Sequence, residues 1–415
     1  MKIFLALCLV ASALAFDDAL KEVLKSPKET LQLYNGFKSQ QHLSYAVNED
    51  RMRFRIFRKN AEFVAAANSE LDTARYGLNF FSSMTEGEKQ QYLGLNATGQ
   101  ASNADYVHSV AAGFQAPAKK LWVNEGAVTA VKSQGSCGSC WTFAAVGGLE
   151  TRYQQSSGKL RDFSEQEYLD CVKEGYGNGC KGGWPDNAYS WSKNNGGRLA
   201  SSKNFPYAGK DRACKASSTP DAMISDKITG YVSVGATEAA NIEALATGSL
   251  SVAFEVTNYF QQYKGGILRD TTCTGRINHG VTAVGYTANF VLVKNSWGAV
   301  WGDKGYVKFA RNHGNCELFK HASYPSFQST GVADNTPSDA ATDYTPTEDN
   351  NVDPPSPTDD PSCTDKAVNC VADDHCGYDF SEKYCAKTCK FCDEKACPSG
   401  TVRCDDGVCR HKHMC

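Results

Sequence analysis

Residues 16–136 of this 415-residue chain contain no cysteine, and residues 329–362 contain no lysine or arginine. No stretch after the N-terminus reaches the ~18 apolar residues of a membrane span, which excludes a later membrane helix. Residues 329–362 hold six prolines and eight Asp or Glu. Such a stretch cannot bury enough apolar surface to fold alone, so it reads as an acidic, Pro/Ser/Thr-rich extended linker. A large excess of one charge is also missing. Lys+Arg number 43 against 46 Asp+Glu, a net charge of −3, which argues against a whole-chain polycation for nucleic acid or membranes.

What is present is cysteine, 18 in all, with seven between residues 137 and 316 and ten between 363 and 415. Free thiols at that density would be a liability, so disulfides and an oxidising compartment are expected. Lys2, the apolar run from Ile3 to Ala11 and Ala13-Leu14-Ala15 read as a secretory signal over residues 1–15, which removes Cys8. The expected localisation is the secretory route, extracellular or lysosomal.

Residues 17–95 carry a helical pattern. Leu20, Val23, Leu24, Leu31, Leu33 and Phe37 fit one apolar face, and Met52, Ile56, Phe63 and Ala67 recur at helical steps from Glu49 to Asn68. The basic run Arg51–Lys59 reads as a charged helix face, with Glu49 placed to pair with Arg53, rather than as a nucleic-acid site. Asn96-Ala97-Thr98 is a glycosylation sequon. A helical run follows Cys140, and strand-like stretches occupy 251–256, 280–286, 290–294 and 305–310. Helix first and strands later is an α+β layout.

The chemistry centres on Gln134-Gly-Ser-Cys-Gly-Ser-Cys-Trp141. A thiol at a helix start is biased towards the nucleophilic thiolate, and Cys140 precedes a helical run. It needs a base oriented by a third group. Asn278-His279-Gly280 and Lys294-Asn295-Ser296-Trp297-Gly298 supply candidates. A Cys137–Cys140 disulfide and a Cys-x2-Cys zinc site are the alternatives. The first has poor geometry, and the second lacks further ligands at short spacing.

Together with Asn178-Gly-Cys-Lys-Gly-Gly183 and Ala322-Ser-Tyr-Pro325, these blocks resemble the papain-like cysteine proteases of the cathepsin L type, over most of residues 17–328. The resemblance implies a two-lobed fold, helical on one side and β-barrel-like on the other. It implies Cys140 as nucleophile, His279 as its imidazolium partner, Asn295 holding the His279 ring under Trp297, and Gln134 in the oxyanion hole. It implies disulfides Cys137–Cys180, Cys171–Cys214 and Cys273–Cys316. It also implies substrate contacts at Gly182, Gly183 and Trp297, and a pocket for the second residue before the cut walled by Trp184, Pro185, Ala253 and Gly280. His321 stands at the floor of that pocket, where Ala is usual. No cofactor or metal is implied, and the expected enzyme is a monomer acting on proteins and peptides.

Glu49, Arg53, Phe57, Asn60, Val64 and Asn68, followed by Gly77-x-Asn79-x-Phe81-x-Ser83, resemble the two motifs of the family's inhibitory propeptide. Ser83 stands where Asp is usual, which leaves an acid-triggered release without its carboxylate. The expected propeptide is 16–115 and the peptidase domain 116–328. Between Gly183 and Phe205 there is no room for a cleft-blocking loop, so an endopeptidase is expected.

Residues 363–392 resemble a ShK toxin-like domain, implying Cys363–Cys392, Cys370–Cys385 and Cys376–Cys389 and a matrix or cell-surface partner. Residues 393–415 form a short Cys-rich tail. Cys397, Cys404, Cys409 and Cys415 give two further bridges of open pairing, without a calcium site. The rival reading is a binding protein on an inactive protease scaffold. Retention of Cys140, His279 and Asn295 speaks against it.

Overall fold

The computed structural model describes residues 13–69, 73–95, 104–111, 113–173, 177–215, 223, 225–311 and 316–346, and beyond them two paired strands, Val402–Arg403 and Cys409–Arg410. The sequon at Asn96, the expected pairings within 363–415 and most of the signal lie outside the described residues.

Two helices, α1 (Ala13–Lys25) and α2 (Pro27–Gln40), open the chain. Ser26 separates them. Its side chain accepts the Glu29 N–H, and Pro27 takes the first helical position, where a missing N–H costs nothing. The single apolar face expected over 20–37 is broken there, and Leu31 is exposed.

The long helix α3 (Val47–Ala67) buries Arg53, Phe57, Asn60, Ala61 and Val64, whereas Met52 is exposed. Its buried stripe is thus the polar-containing one. Phe57 packs between Tyr34 and Phe37. After β1 (Arg75–Tyr76) comes α4 (Glu86–Gln90), capped reciprocally by Thr85 and Glu88. Arg53 is not part of a solvated charged face. Its guanidinium is forked between Glu49 at 2.8 Å and Glu88 at 2.6 Å, and also donates to the Ser83 carbonyl at 3.1 Å. The Ser83 hydroxyl meets the Tyr45 hydroxyl at 3.2 Å, so Glu88 supplies the carboxylate that residue 83 lacks.

From β2 (Tyr106–His108) and β3 (Lys120–Leu121) the chain enters a helical lobe of α5 (Cys140–Ser157), α6 (Glu165–Cys171) and α7 (Pro185–Asn194). Trp141, Leu149, Tyr153, Phe163, Tyr168 and Tyr189 fill its core. The second lobe contains β4 (Asp226–Val234), α8 (Glu238–Ala246), β5 (Leu250–Phe254), α9 (Asn258–Gln261), β6 (Tyr263–Gly265), β7 (Ile267–Leu268), β8 (His279–Tyr286), β9 (Phe290–Lys294), β10 (Tyr306–Ala310) and β11 (His321–Ser329). The lobe expected to be barrel-like is built on one nine-stranded sheet in the order β2-β4-β11-β5-β8-β9-β10-β7, with β3 pairing onto β8. Every residue of β8, β9 and β10 is buried. The architecture is α+β.

The lobes meet where α5 crosses β5 and β8. The approach is too close for side chains on the helix. A Cβ at Gly147 would stand 2.2 Å from Thr282 Oγ1, and one at Gly148 would stand 2.4 Å from Ser251 Oγ. The N-terminal helices dock on the sheet lobe. There β1 pairs antiparallel with β6, Asn79 donates to the Gln261 carbonyl at 2.8 Å, and Phe63 and Tyr76 meet Tyr259 edge-on.

Residues 329–346, expected as the start of an extended linker, are not detached from the domain. Residues up to Pro346 lie on the two lobes, with Asp334 paired to Arg161 and Tyr344 only 4% exposed. The segment has no core of its own, as its composition dictates. It borrows apolar surface from the domain beside it.

Arg53, with Thr85 assisting, holds the Glu88 carboxyl down at about 2 from an ordinary 4.5. Its stabilising effect is therefore complete above pH 4.5 and is lost only as pH falls towards 2. Glu88→Gln should lower the melting temperature at pH 6–7, and the difference from wild type should close between pH 4.5 and 2. Melting curves across that range check it; a difference that is constant with pH would contradict it.

Candidate active site

Local sequence explains why the reactive groups converge. Cys140 is the first residue of α5 and His279 the first of β8. The Gly147–Gly148 contact draws these two elements together. Gly280, the neighbour of His279, lies against the first turn of α5, where a Cβ would sit 3.3 Å from the Ala144 Cβ and 3.5 Å from the Cys140 carbonyl. Cys140 is fully buried and is the free cysteine among the described residues.

His279 Nε2 donates to Asn295 Oδ1 at 2.9 Å, and its Nδ1 has no hydrogen-bond partner. Trp297 covers the imidazole at a centroid distance of 4.8 Å, and Phe254 and Phe260 close its other sides. Gln134 is aimed by three contacts. Its Oε1 accepts from Ser296 Oγ at 2.6 Å, its Nε2 donates to the Cys137 carbonyl at 2.8 Å, and its backbone N–H binds the Ser296 carbonyl at 2.8 Å. Beneath lies a buried charged cluster. Lys132 reaches Glu165 at 2.6 Å and Asp162 at 2.5 Å, and Lys294, beside Asn295, donates to Thr129 at 2.9 Å.

The structure pairs Cys137 with Cys180, Cys171 with Cys214 and Cys273 with Cys316. The first bridge sets the Gly138 N–H on the Cys180 carbonyl at 3.0 Å and so ties the turn before Cys140 to the Gly182–Gly183 loop. Of the expected pocket residues, Trp184 and Pro185 open α7, Ala253 lies on β5 and His321 on β11. Ala253 and His321 are register partners, and the Trp184 and His321 rings are 5.6 Å apart.

Residues 92–95 occupy this cleft. Gln134 Nε2 donates to the Tyr92 carbonyl at 3.1 Å, the Gly183 N–H to the Gly94 carbonyl at 2.9 Å, and the Gly94 and Leu95 N–H groups to the Asn278 carbonyl at 3.2 and 3.1 Å. Leu95 shares a core with Trp184 and Ala253. Phe81 sets its edge on Trp297 at 4.6 Å. Gly94 is required by closeness, since a Cβ there would meet the Gly138 carbonyl oxygen at 1.9 Å.

Burial pushes the Cys140 thiol up to about 11, against nearby backbone N–H groups of Gly280, Gly94 and Trp141 that favour the thiolate. Burial pushes His279 down to about 4, against its bond to Asn295. Under the N-terminal segment both groups are therefore held neutral. The helix-start argument for a thiolate is outweighed by desolvation.

Sequence reading missed Gly94, Ser296 and the Asn278 carbonyl. The first carried only a weak signal, a glycine between Leu93 and Leu95. The other two act through groups that no motif spacing weighs.

The family model for papain family cysteine proteases matches residues 116–326. The chain belongs to the papain family. The cathepsin propeptide inhibitor domain (I29) matches residues 34–88, so this papain-family protease carries its zymogen segment. It is 36% identical over 346 residues to chymopapain of Carica papaya, covering 78% of this chain and 96% of that one. To a cathepsin L-like peptidase of Aedes aegypti it is 37% identical over 316 residues, 70% and 92% of the two chains. Among solved structures it resembles a digestive procathepsin L2 proteinase from Tenebrio molitor larval midgut at 31% identity and TM-score 0.64, covering 72% of this chain and 98% of the other. A recombinant stem bromelain precursor matches at 33% identity and TM-score 0.64, with the same coverage.

Because a side chain at residue 94 cannot fit, Gly94→Val should lift the propeptide from the cleft. Alkylation of Cys140 in the unprocessed papain-family chain at pH 7 should quicken by about tenfold or more, equivalent to ~1.4 kcal/mol of lost docking. Thiol-labelling rates followed by intact mass check this; an unchanged rate would contradict it.

Proposed function

We propose that the chain is the zymogen of a secretory-route cysteine endopeptidase of the cathepsin L type. In this reading Cys140 attacks the scissile carbonyl, His279 takes the thiol proton and later protonates the leaving amine, and Asn295 orients the ring. The Gln134 amide and the Cys140 N–H stabilise the oxyanion. The observation that carries the reading is the Gln134 Nε2 bond to the Tyr92 carbonyl. An amide aimed at a peptide carbonyl in the cleft is the geometry that an oxyanion hole requires.

The order of contacts supports autoinhibition by a reversed strand. Tyr92 lies at Gln134, Gly94 at Gly183 and Leu95 beside Trp184. A productive substrate would place its pocket residue first and its cut bond afterwards, the opposite sense. The propeptide therefore fills the cleft without offering a cleavable bond, and it keeps the Cys140–His279 pair dry and neutral. Its departure rehydrates both groups and lets the ion pair form.

Residues 183–205 hold α7 and short turns, with no room for a long inserted loop, which supports an endopeptidase. The Leu95 side chain supports an apolar preference for the residue two before the cut. A ShK-like module at 363–392 would give the enzyme a matrix or cell-surface partner, and glycosylation at Asn96 belongs to the same secretory reading.

An epoxysuccinyl thiol inhibitor should add its mass at Cys140 in the acid-processed protein. Cys140→Ser should retain under ~1% activity, and Asn295→Ala should lose less than His279→Ala. Absence of labelling would favour the inactive-scaffold reading.

His321 should make the pocket pH-dependent. Desolvation lowers its pKa from 6.5, against Asp186 and Glu317 and together with Lys320, so it is neutral near pH 7 and charged in acid. Acid should then raise the rate ratio of Glu over Leu substrates in wild type and leave it unmoved in His321→Ala. A substrate series at pH 4.5 and 7 reads both, and identical pH dependence in the two proteins would overturn it.

A further inference from the structure

Residues 330–346 lie beyond the segment matched by the family model, which ends at 326, yet they make a continuous set of contacts with both lobes. On the helical lobe, just past α5, Arg161 binds Asp334, Thr336 and the Pro337 carbonyl. The Asp339 N–H donates to the Leu160 carbonyl at 2.9 Å, and its carboxylate accepts the Asp162 N–H at 2.9 Å. Midway, the Thr342 N–H donates to the Val128 carbonyl at 2.7 Å, and Ala341 bridges to Thr129. On the sheet lobe, Tyr344 stacks on Tyr306 at 3.9 Å and 13°, and its hydroxyl donates to Asp303 at 2.9 Å. Tyr344 joins the core formed by Trp122, Val128, Phe290 and Leu292.

We propose that residues 330–346 are a strap that fastens the two lobes together and remains with the enzyme when it matures, with Arg161 and Tyr306 as its two anchorages. The chemistry is matched at each end. At the first anchorage the Arg161 guanidinium is met by an acidic residue with Thr and carbonyl acceptors. The second anchorage is a buried tyrosine of β10 met face to face by another tyrosine. The strap contacts Asp162 at the first anchorage and Thr129 midway, two members of the cluster near Asn295. It thus joins an anchorage on the helical lobe to one on the sheet lobe.

The test compares chains ending at 329 and 346 in a Cys140→Ser background, which prevents self-digestion. The chain ending at 346 should melt within ~1 °C of the full chain, and the shorter one about 5–10 °C lower. A synthetic peptide of residues 330–346 should restore part of that loss. Equal melting of the two chains would overturn the proposal. Should the shorter chain fail to fold, Tyr344→Ala and Asp334→Asn in the full chain carry the test: each should lower the melting temperature, and no change in either overturns it. Intact mass of the self-processed wild-type enzyme reads retention. A C-terminus at or beyond Pro346 supports the strap, and one before Asp334 refutes it.

Discussion

The close approach of α5 to β8 and β5 is the constraint on which the site depends. Cys140 and His279 stand 139 residues apart in sequence, on different lobes, at the start of one helix and one strand. Only a helix surface stripped to glycine at 147 and 148 can sit near enough to Thr282 and Ser251 for those two ends to converge. Side chains there would wedge the lobes apart, and the reacting groups would separate with them. Protein interiors resist such insertion because they are already packed near crystal density.

That arrangement leaves polar atoms buried at the seam, and the molecule answers them in two ways. The Lys132, Glu150, Glu165 and Lys294 charges compensate one another. The Gln134 and Asn295 groups are instead aimed towards the cleft and bind the propeptide backbone and the His279 ring, with the Ser296 hydroxyl holding the Gln134 amide in place. The inhibitory segment thus uses hydrogen-bonding capacity that the site must expose for its own chemistry.

Much of this was legible in the sequence. The strand at 290–294 was read to the residue, because a buried central strand is a continuous apolar run. The catalytic candidates stood in ordered blocks. The face of α3 was misread because hydrophobic periodicity counts Met52 and overlooks Arg53, which is buried only because Glu49 and Glu88 meet it. The seating of residues 330–346 was invisible for a related reason. Composition reports whether a segment can fold by itself, and Tyr344 finds its partner 38 residues upstream in Tyr306. Contacts supplied by another part of the chain leave no local signature.

The burial of Cys140 beneath Gly94 bears on how the chain is oxidised. Seven cysteines between residues 137 and 316 must yield three bridges and one survivor, and Cys137 lies only three residues from the thiol that has to be spared. With residues 92–95 seated, that thiol is sealed and protonated, and so is a poor partner for exchange. The propeptide is in this sense a protecting group as a synthetic chemist would use the term: in place while the other sulfurs couple, and removed once they have.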